Sequence, residues 1–540
     1  MFASFFLSGS CRTAPGYVRP ALLLALAVPV AGMSAEVVQA PLSKARQAEL
    51  EAMLTGEIQR VVNSQKRIEG QGRDVAASVS FEARSGEQEL GLVIDLSETY
   101  VPLVFGAEME DLQHQLSTTA RQLLREIVSV RGVRFRYGGK DVYHYFPEQL
   151  QEELRAAEAR AARAARKDAA APTAAATVVV AAGHGIYYHY GFKDWRAQRD
   201  PSNGIVEDFI TPAYATELSH WLSRRSEATT RFPRSTSVVT HVPSGQPWER
   251  IGARYHLQAT YPNNPEIWNS LPGATDNLRE RNEDIRSRPL FANHIGANTI
   301  LHLHTNAADD MTATGALAFY QPGRDEDQRL ADNILCYMKE LIQAKEPYKS
   351  YNVANKAGRD DYGENRLAAM PSVIIEAGFH TNPSDAAALK DPVFRTAAMK
   401  GVEKGYRLNA EGKSCEPFKI DRIPDATGLQ GVPIPIEVHY KGYPQFAVTA
   451  QVEIVSCPIG WTCTGGKLTY RDKIPSPLGY RYTCHTTSRP PANFRLKTTL
   501  DDTDQVSPEP VEHNVTCTPA AQETPGAAPV GKPSITISLG

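Results

Sequence analysis

The chain has 540 residues, of which 42% are hydrophobic and 22% charged, a length that suggests roughly three domains at about 100–200 residues each. Its 58 basic and 61 acidic residues leave a formal charge of −3. That balance excludes the basic surface of a dedicated nucleic-acid binder, and the ordinary apolar content excludes wholesale disorder.

A short apolar run between Arg19 and Met33, preceded by Arg12 and followed by Ser34-Ala35, predicts a secretory signal peptide over residues 1–35. The run is too short for a membrane span and contains Pro29 and Gly32, and no second such run follows. Cleavage would take the charge from −3 to −5 and the cysteine count from seven to six. An even number in an exported protein points to disulfides. Cys457, Cys463, Cys484 and Cys517 are expected to pair among themselves, with three pairings open, and Cys336 with Cys415 would make a third bridge.

Residues 41–150 read as a small α/β domain with a binding or spacer role: helical periodicity over 45–65 and 108–128, strand patterns at 75–83, 90–96 and 133–137. Residues 151–176, rich in Ala, Glu and Arg, predict an exposed helical linker. From 177 to 412, apolar runs alternate with helical patterns: strands at 178–182, 299–303 and 373–375, helices at 214–224 and 328–344. This order predicts an α/β fold with a central, mainly parallel twisted sheet and flanking helices. Residues 416–520 carry short alternating strands between Pro, Gly and Asp turns, the pattern of a small β-sandwich. A flexible Pro/Gly/Ala-rich tail is expected over 521–540.

Each chemically pointed feature of the central region follows a predicted strand. Gly183-His184-Gly185 follows the first, His304-Thr-Asn-Ala307 the second, and Glu376-Ala-Gly-Phe379 the third. Open α/β sheets place their sites at the carboxyl ends of strands. Histidines and glutamates gathered there suit a hydrolytic zinc centre with three N/O ligands, and a further carboxylate to move a proton. His302 and His304 share one face of their strand, so spacing alone does not say which would face a metal.

In this order the residues resemble the zinc-dependent N-acetylmuramoyl-L-alanine amidases of bacterial peptidoglycan, over residues 177–410. Thr177–Gly185 resembles the family's opening strand and loop, implying His184 as the first zinc ligand. Glu207-Asp-Phe-Ile-Thr-Pro resembles the family's glutamate at a helix start, implying Glu207, rather than Glu217, as the second. Leu301-His-Leu-His-Thr-Asn-Ala307 implies His304 as the third, with His302 in the core or supporting it. Val373-Ile-Ile-Glu-Ala-Gly-Phe-His-Thr-Asn382 implies Glu376 as the catalytic carboxylate. Arg288 and Asn306 are candidates for support or substrate contact. The family's Asp-Pro before the first loop is Ala181-Ala182 here, and an extended segment, 241–273, carries Trp248, Tyr255, Tyr261 and Trp268. Those aromatics would wall a substrate groove, pack on each other, or belong to a regulatory lid over the zinc.

The resemblance implies an exported hydrolase, periplasmic or extracellular, with one Zn2+ and peptidoglycan as substrate. The resemblance further implies cleavage between N-acetylmuramic acid and L-alanine, with an activator or envelope protein as a further partner. The alternatives are a non-catalytic wall-binding protein with the same fold and a zinc peptidase acting on stem peptides.

Overall fold

The computed structural model describes residues 42–82, 90–125, 127–167, 175–520 and 534–539; the signal peptide read over 1–35 lies outside them. Among the described residues, no helix is long and apolar enough to cross a membrane.

The N-terminal segment runs α1 (Lys44–Ser64), β1 (Ala77–Glu82), β2 (Leu90–Leu96), α2 (Ala107–Leu124) and β3 (Val130–Tyr137). Leu50, Leu54, Ile58 and Val61 recur at three- and four-residue spacing and bury one stripe of α1. A long helix, α3 (Pro147–Lys167), follows. The central part comprises β4 (Thr177–Ala182), α4 (Glu207–Arg225), β5 (Thr229–Arg231), α5 (Arg279–His294), β6 (Thr299–Asn306), β7 (Leu317–Tyr320), α6 (Asp325–Gln343), β8 (Gly358–Arg359), β9 (Ser372–Phe379), α7 (Pro383–Lys390) and α8 (Pro392–Ala410).

These strands form one nine-stranded sheet in the order β1-β2-β3-β8-β7-β9-β6-β4-β5. All neighbours are parallel except β1/β2 and β7/β9. The central strands β6 and β9 are buried along their whole length because both faces are covered. Val178, Val180, Leu301, Leu303, Val373 and Ile375 enter a core with α4, α6 and α8. Val179, Ala181 and Ile300 enter a second core with Phe291 and Ala292 of α5.

The structure differs from the expected layout in three places. First, the N-terminal α/β segment is not a separate domain. β3 pairs with β8 through Gly132 and Arg359, and residues 44–540 form one compact unit. Second, α3 is docked rather than a free linker: Ala156 is buried. Its Arg160 donates to the Ala368 carbonyl at 3.2 Å, Arg163 donates to the Ala297 carbonyl, and Glu152 pairs with Arg286 at 2.7 Å. The charges that suggested a solvated face are its attachment points. Third, residues 534–539 form a strand rather than a flexible tail, pairing antiparallel with Leu478–His485. The alternation of Ser534-Ile-Thr-Ile-Ser-Leu539 accounts for it.

Beyond α8 the chain forms two facing sheets of four and five strands, with Ile436, Val438, Tyr480, Phe494, Leu496 and Val515 between them. Disulfides join Cys457 to Cys463, Cys484 to Cys517, and Cys336 of α6 to Cys415 in the connection to the sandwich. The sandwich is clamped to the central part by Asp504. This buried carboxylate accepts a two-pronged hydrogen bond from Arg225 at 2.7 and 2.8 Å and a third from Lys400 at 2.8 Å.

Candidate metal centre

Strand alternation decides what faces the site. On β6, Leu301 and Leu303 point into the core beneath α4 and α6, which leaves His302 and His304 on the opposite face. β9 pairs in register, with His304 opposite Glu376, so the carboxylate at the end of one strand stands beside the imidazole of the next. His304 and Glu376 lie in the carboxyl-terminal halves of their strands, the end of a parallel sheet at which sites are built.

His184 arrives from β4 through a tight loop. Its φ is +58°, in the left-handed region that few non-glycine residues occupy. Gly183 is sterically required beside it: a Cβ there would stand 2.4 Å from the His304 ring. Glu207 is the first residue of α4, where the helix dipole favours a carboxylate. The neighbouring Asp208 accepts hydrogen bonds from Gly185 N (2.9 Å), Gln198 N (2.8 Å) and Arg199 N (3.1 Å), tying the histidine loop to the helix start.

Three ligand atoms converge. Glu207 Oε1 lies 3.0 Å from His304 Nδ1 and 3.3 Å from His184 Nε2, and the two nitrogens are 3.2 Å apart. Atoms bound to a tetrahedral zinc at about 2.0–2.1 Å stand roughly 3.3 Å apart, so this set fits such an ion. His184, Glu207 and His304 form the one such group found among the described residues. The remaining ring nitrogens are held from behind, as metal-binding histidines are. His184 Nδ1 faces Gln198 Oε1 at 3.2 Å, and Gln198 Nε2 donates to Asp284 and to the Gly185 carbonyl, which fixes the amide's orientation. His304 Nε2 faces Glu364 Oε2 at 3.1 Å. In the tautomers that bind a metal, His184 Nδ1 and His304 Nε2 would therefore carry the protons, leaving His184 Nε2 and His304 Nδ1 to face the point of convergence.

The electrostatics favour a cation there. Burial opposes charge on His304, but Glu364 and Glu207 on either side outweigh it and push its pKa up to about 10. Burial likewise opposes charge on Glu207, yet His184 and His304 hold its carboxyl well below the usual range. Glu376 behaves oppositely: burial, reinforced by Glu207 and Glu364 and only partly offset by His304 and Arg199, pushes it up to about 8. Its Oε2 is buried with no hydrogen-bond partner among the described residues.

Of the other residues singled out in the sequence, Arg288 lies fully buried beneath the site, with Nη1 2.5 Å from Glu364 Oε1 and 3.5 Å from His304 Nε2. Asn306 Oδ1 accepts from Ala307 N and faces His114 Nε2, both at 2.7 Å. His302 Nδ1 lies 2.9 Å from Glu364 Oε2, which places it behind His304. The four aromatics of 241–273 pack inward: Trp248 and Tyr255 against His241, Tyr261 against Phe291, and Trp268 Nε1 onto the Tyr261 carbonyl at 2.9 Å.

Two residues with a part in the site escape sequence reasoning. Glu364 gathers Arg288, His302 and His304, and no local pattern in Tyr362-Gly-Glu-Asn-Arg366 marks it. Arg234 donates to the carbonyls of Gly183 (2.8 Å), Asp208 (2.9 Å) and Glu249 (2.7 Å), bracing the loop on which His184 sits. Glu364→Gln removes the charge that holds His304 Nε2–H. We expect metal affinity to fall by about 10–100-fold, measured by chelator competition on protein shown to be folded by circular dichroism.

Residues 178–406 match the model of the N-acetylmuramoyl-L-alanine amidase family. The germination-specific N-acetylmuramoyl-L-alanine amidase of Bacillus subtilis (strain 168) is 28% identical over 129 residues, which are 24% of this chain and 51% of that protein. The chain thus spans about half the length of this curated relative. Among solved structures, the CwlD amidase of Clostridioides difficile, in complex with the GerS lipoprotein, is 19% identical, covering 44% of this chain and all of that one, with a TM-score of 0.31. The catalytic domain of the CwlV amidase of Bacillus (Paenibacillus) polymyxa var. colistinus is 16% identical over 44% of this chain and 99% of its own, with a TM-score of 0.28.

Proposed function

We propose that the protein hydrolyses the amide bond between N-acetylmuramic acid and L-alanine of peptidoglycan stem peptides, using zinc held by His184, Glu207 and His304, with Glu376 as the catalytic carboxylate. The observation that carries this reading is the convergence of three ligand atoms within 3.0–3.3 Å beside a buried carboxylate whose Oε2 has no hydrogen-bond partner among the described residues, in a segment that matches the amidase family model. Zinc in such a site polarises a carbonyl and makes water a nucleophile near neutral pH.

The protein's own residues supply the rest. Glu376 takes a proton from the attacking water and delivers it to the departing L-alanine nitrogen, the role a carboxylate beside the ligand cluster can fill. Gln198 and Glu364 keep the imidazoles turned so that His184 Nε2 and His304 Nδ1 face the metal. Arg288 neutralises Glu364 in an interior from which solvent is excluded. The reaction would take place outside the cytoplasm, a reading supported by the signal-like residues 1–35 and by three disulfides.

Digestion of purified peptidoglycan followed by mass spectrometry tests this function. The expected products are peptide-free glycan and stems beginning with a free L-alanine amine. Cleavage between amino acids instead would make the protein a peptidase and overturn the proposal.

A further inference from the structure

Helix α2 lies outside the segment that matches the amidase family, yet one face of it reaches the metal centre at three points. Asp111 forms a two-pronged bridge to Arg199, Oδ2 to Nη1 at 2.9 Å and Oδ1 to Nη2 at 2.6 Å. Arg281 pairs with the same carboxylate. Three residues on, His114 Nε2 donates to Asn306 Oδ1, two residues beyond His304, and its Nδ1 accepts from the Tyr362 hydroxyl, both at 2.7 Å. Glu110 accepts from Gly363 N at 2.9 Å, next to Glu364.

The Asp111 bridge bears on Glu207. Oε1 of Glu207 is turned to the two histidines, while Oε2 lies 3.6 Å from Arg199 Nε. An arginine fork prefers a carboxylate that it can grip with two N–H groups. Asp111 occupies both terminal nitrogens of Arg199 and leaves Glu207 only the side-on Nε. Without Asp111, that fork is free to turn on Glu207 and draw it away from the metal position. Burial alone would raise the Asp111 carboxyl, but Arg199 and Arg281 hold it at about 2, so the bridge stands throughout the physiological range.

We infer that Asp111, supplied by the N-terminal α/β segment, is a positioning residue of the metal centre: by holding the Arg199 fork it keeps Glu207 available to zinc. The inference rests on the zinc reading given above and adds to it a residue from outside the family domain.

A double-mutant cycle in the full chain tests it, with zinc affinity read by competition against a chromophoric chelator. Asp111→Asn is expected to weaken zinc binding by about 10–100-fold and to lower kcat on peptidoglycan with it. In an Arg199→Gln background, the same change is expected to cost less than about twofold, because no fork remains to be released. Unchanged affinity in folded Asp111→Asn, or an equal loss with and without Arg199, would overturn the inference. If Asp111→Asn does not fold, Asp111→Ser takes its place in the cycle, since a single hydroxyl cannot hold both terminal nitrogens of Arg199; unchanged affinity there counts equally against it. A parent chain that binds zinc without cutting peptidoglycan defeats the substrate reading and leaves the cycle decisive. A parent that binds no zinc defeats both.

Discussion

Replacing Glu376 by alanine is expected to slow release of stem peptides by about 10²–10⁴-fold while the protein still binds zinc. The separation of these two effects follows from position. Glu376 stands opposite His304 in the sheet register, but its oxygens are not among the converging atoms, which come from His184, Glu207 and His304. Glu376→Gln should behave in the same way, since the amide keeps the shape and cannot accept the proton. Atomic absorption together with turnover on purified peptidoglycan checks both variants. Full activity would remove Glu376 from the mechanism, and loss of zinc would make it a ligand.

His304→Ala is expected to abolish zinc binding and, with it, all detectable hydrolysis. His304 is the hub of the site: its Nδ1 meets both Glu207 and His184, and its Nε2 meets Glu364. The informative comparison is His302→Gln. His302 sits on the same face of β6 and approaches Glu364, not the other two ligands, so this variant should keep stoichiometric zinc. Metal analysis of the two variants separates neighbouring histidines that strand spacing leaves equivalent. Zinc retained in His304→Ala and lost in His302→Gln would mean that β6 presents the other imidazole.

Much of the central sheet is readable in the sequence because its strands are buried on both faces and show as unbroken apolar runs, such as Val178–Ala182 and Val373–Ile375. The same signal underestimates where those strands end. β6 continues through His304, Thr305 and Asn306, and β9 through Glu376 to Phe379, since the functional residues lie on the strands and interrupt the apolar pattern. α4 likewise begins seven residues before its apolar periodicity does, with Pro212 in its second turn, where the Asp208 carbonyl left without a helical donor accepts from Arg234 instead. The loop motifs and the Glu376 stretch carry local signatures. Glu364 and Asp111 carry none: each is defined by arginines or histidines that are remote in the chain, and a charged residue reads alike whether it is solvated or fixing a buried ring. The attachment of the N-terminal segment is hidden for a related reason, since β3 meets β8 at a single register pair.

The clamp at Asp504 bears on how this molecule would work on the polymer proposed above as its substrate. Between the end of α8 and the first sandwich strand the chain is not slack. Cys415 is bonded to Cys336, Glu416 N donates to the Tyr337 hydroxyl, and Phe418 N donates to Glu340, all on α6. A sandwich fastened in this manner cannot act as a grapple on a leash, letting the His184, Glu207 and His304 cluster roam around a point of attachment. Any foothold it takes fixes the bearing of His184, Glu207 and His304 at the same moment, so the bonds within reach are set by where the molecule lands, and reaching others requires it to let go.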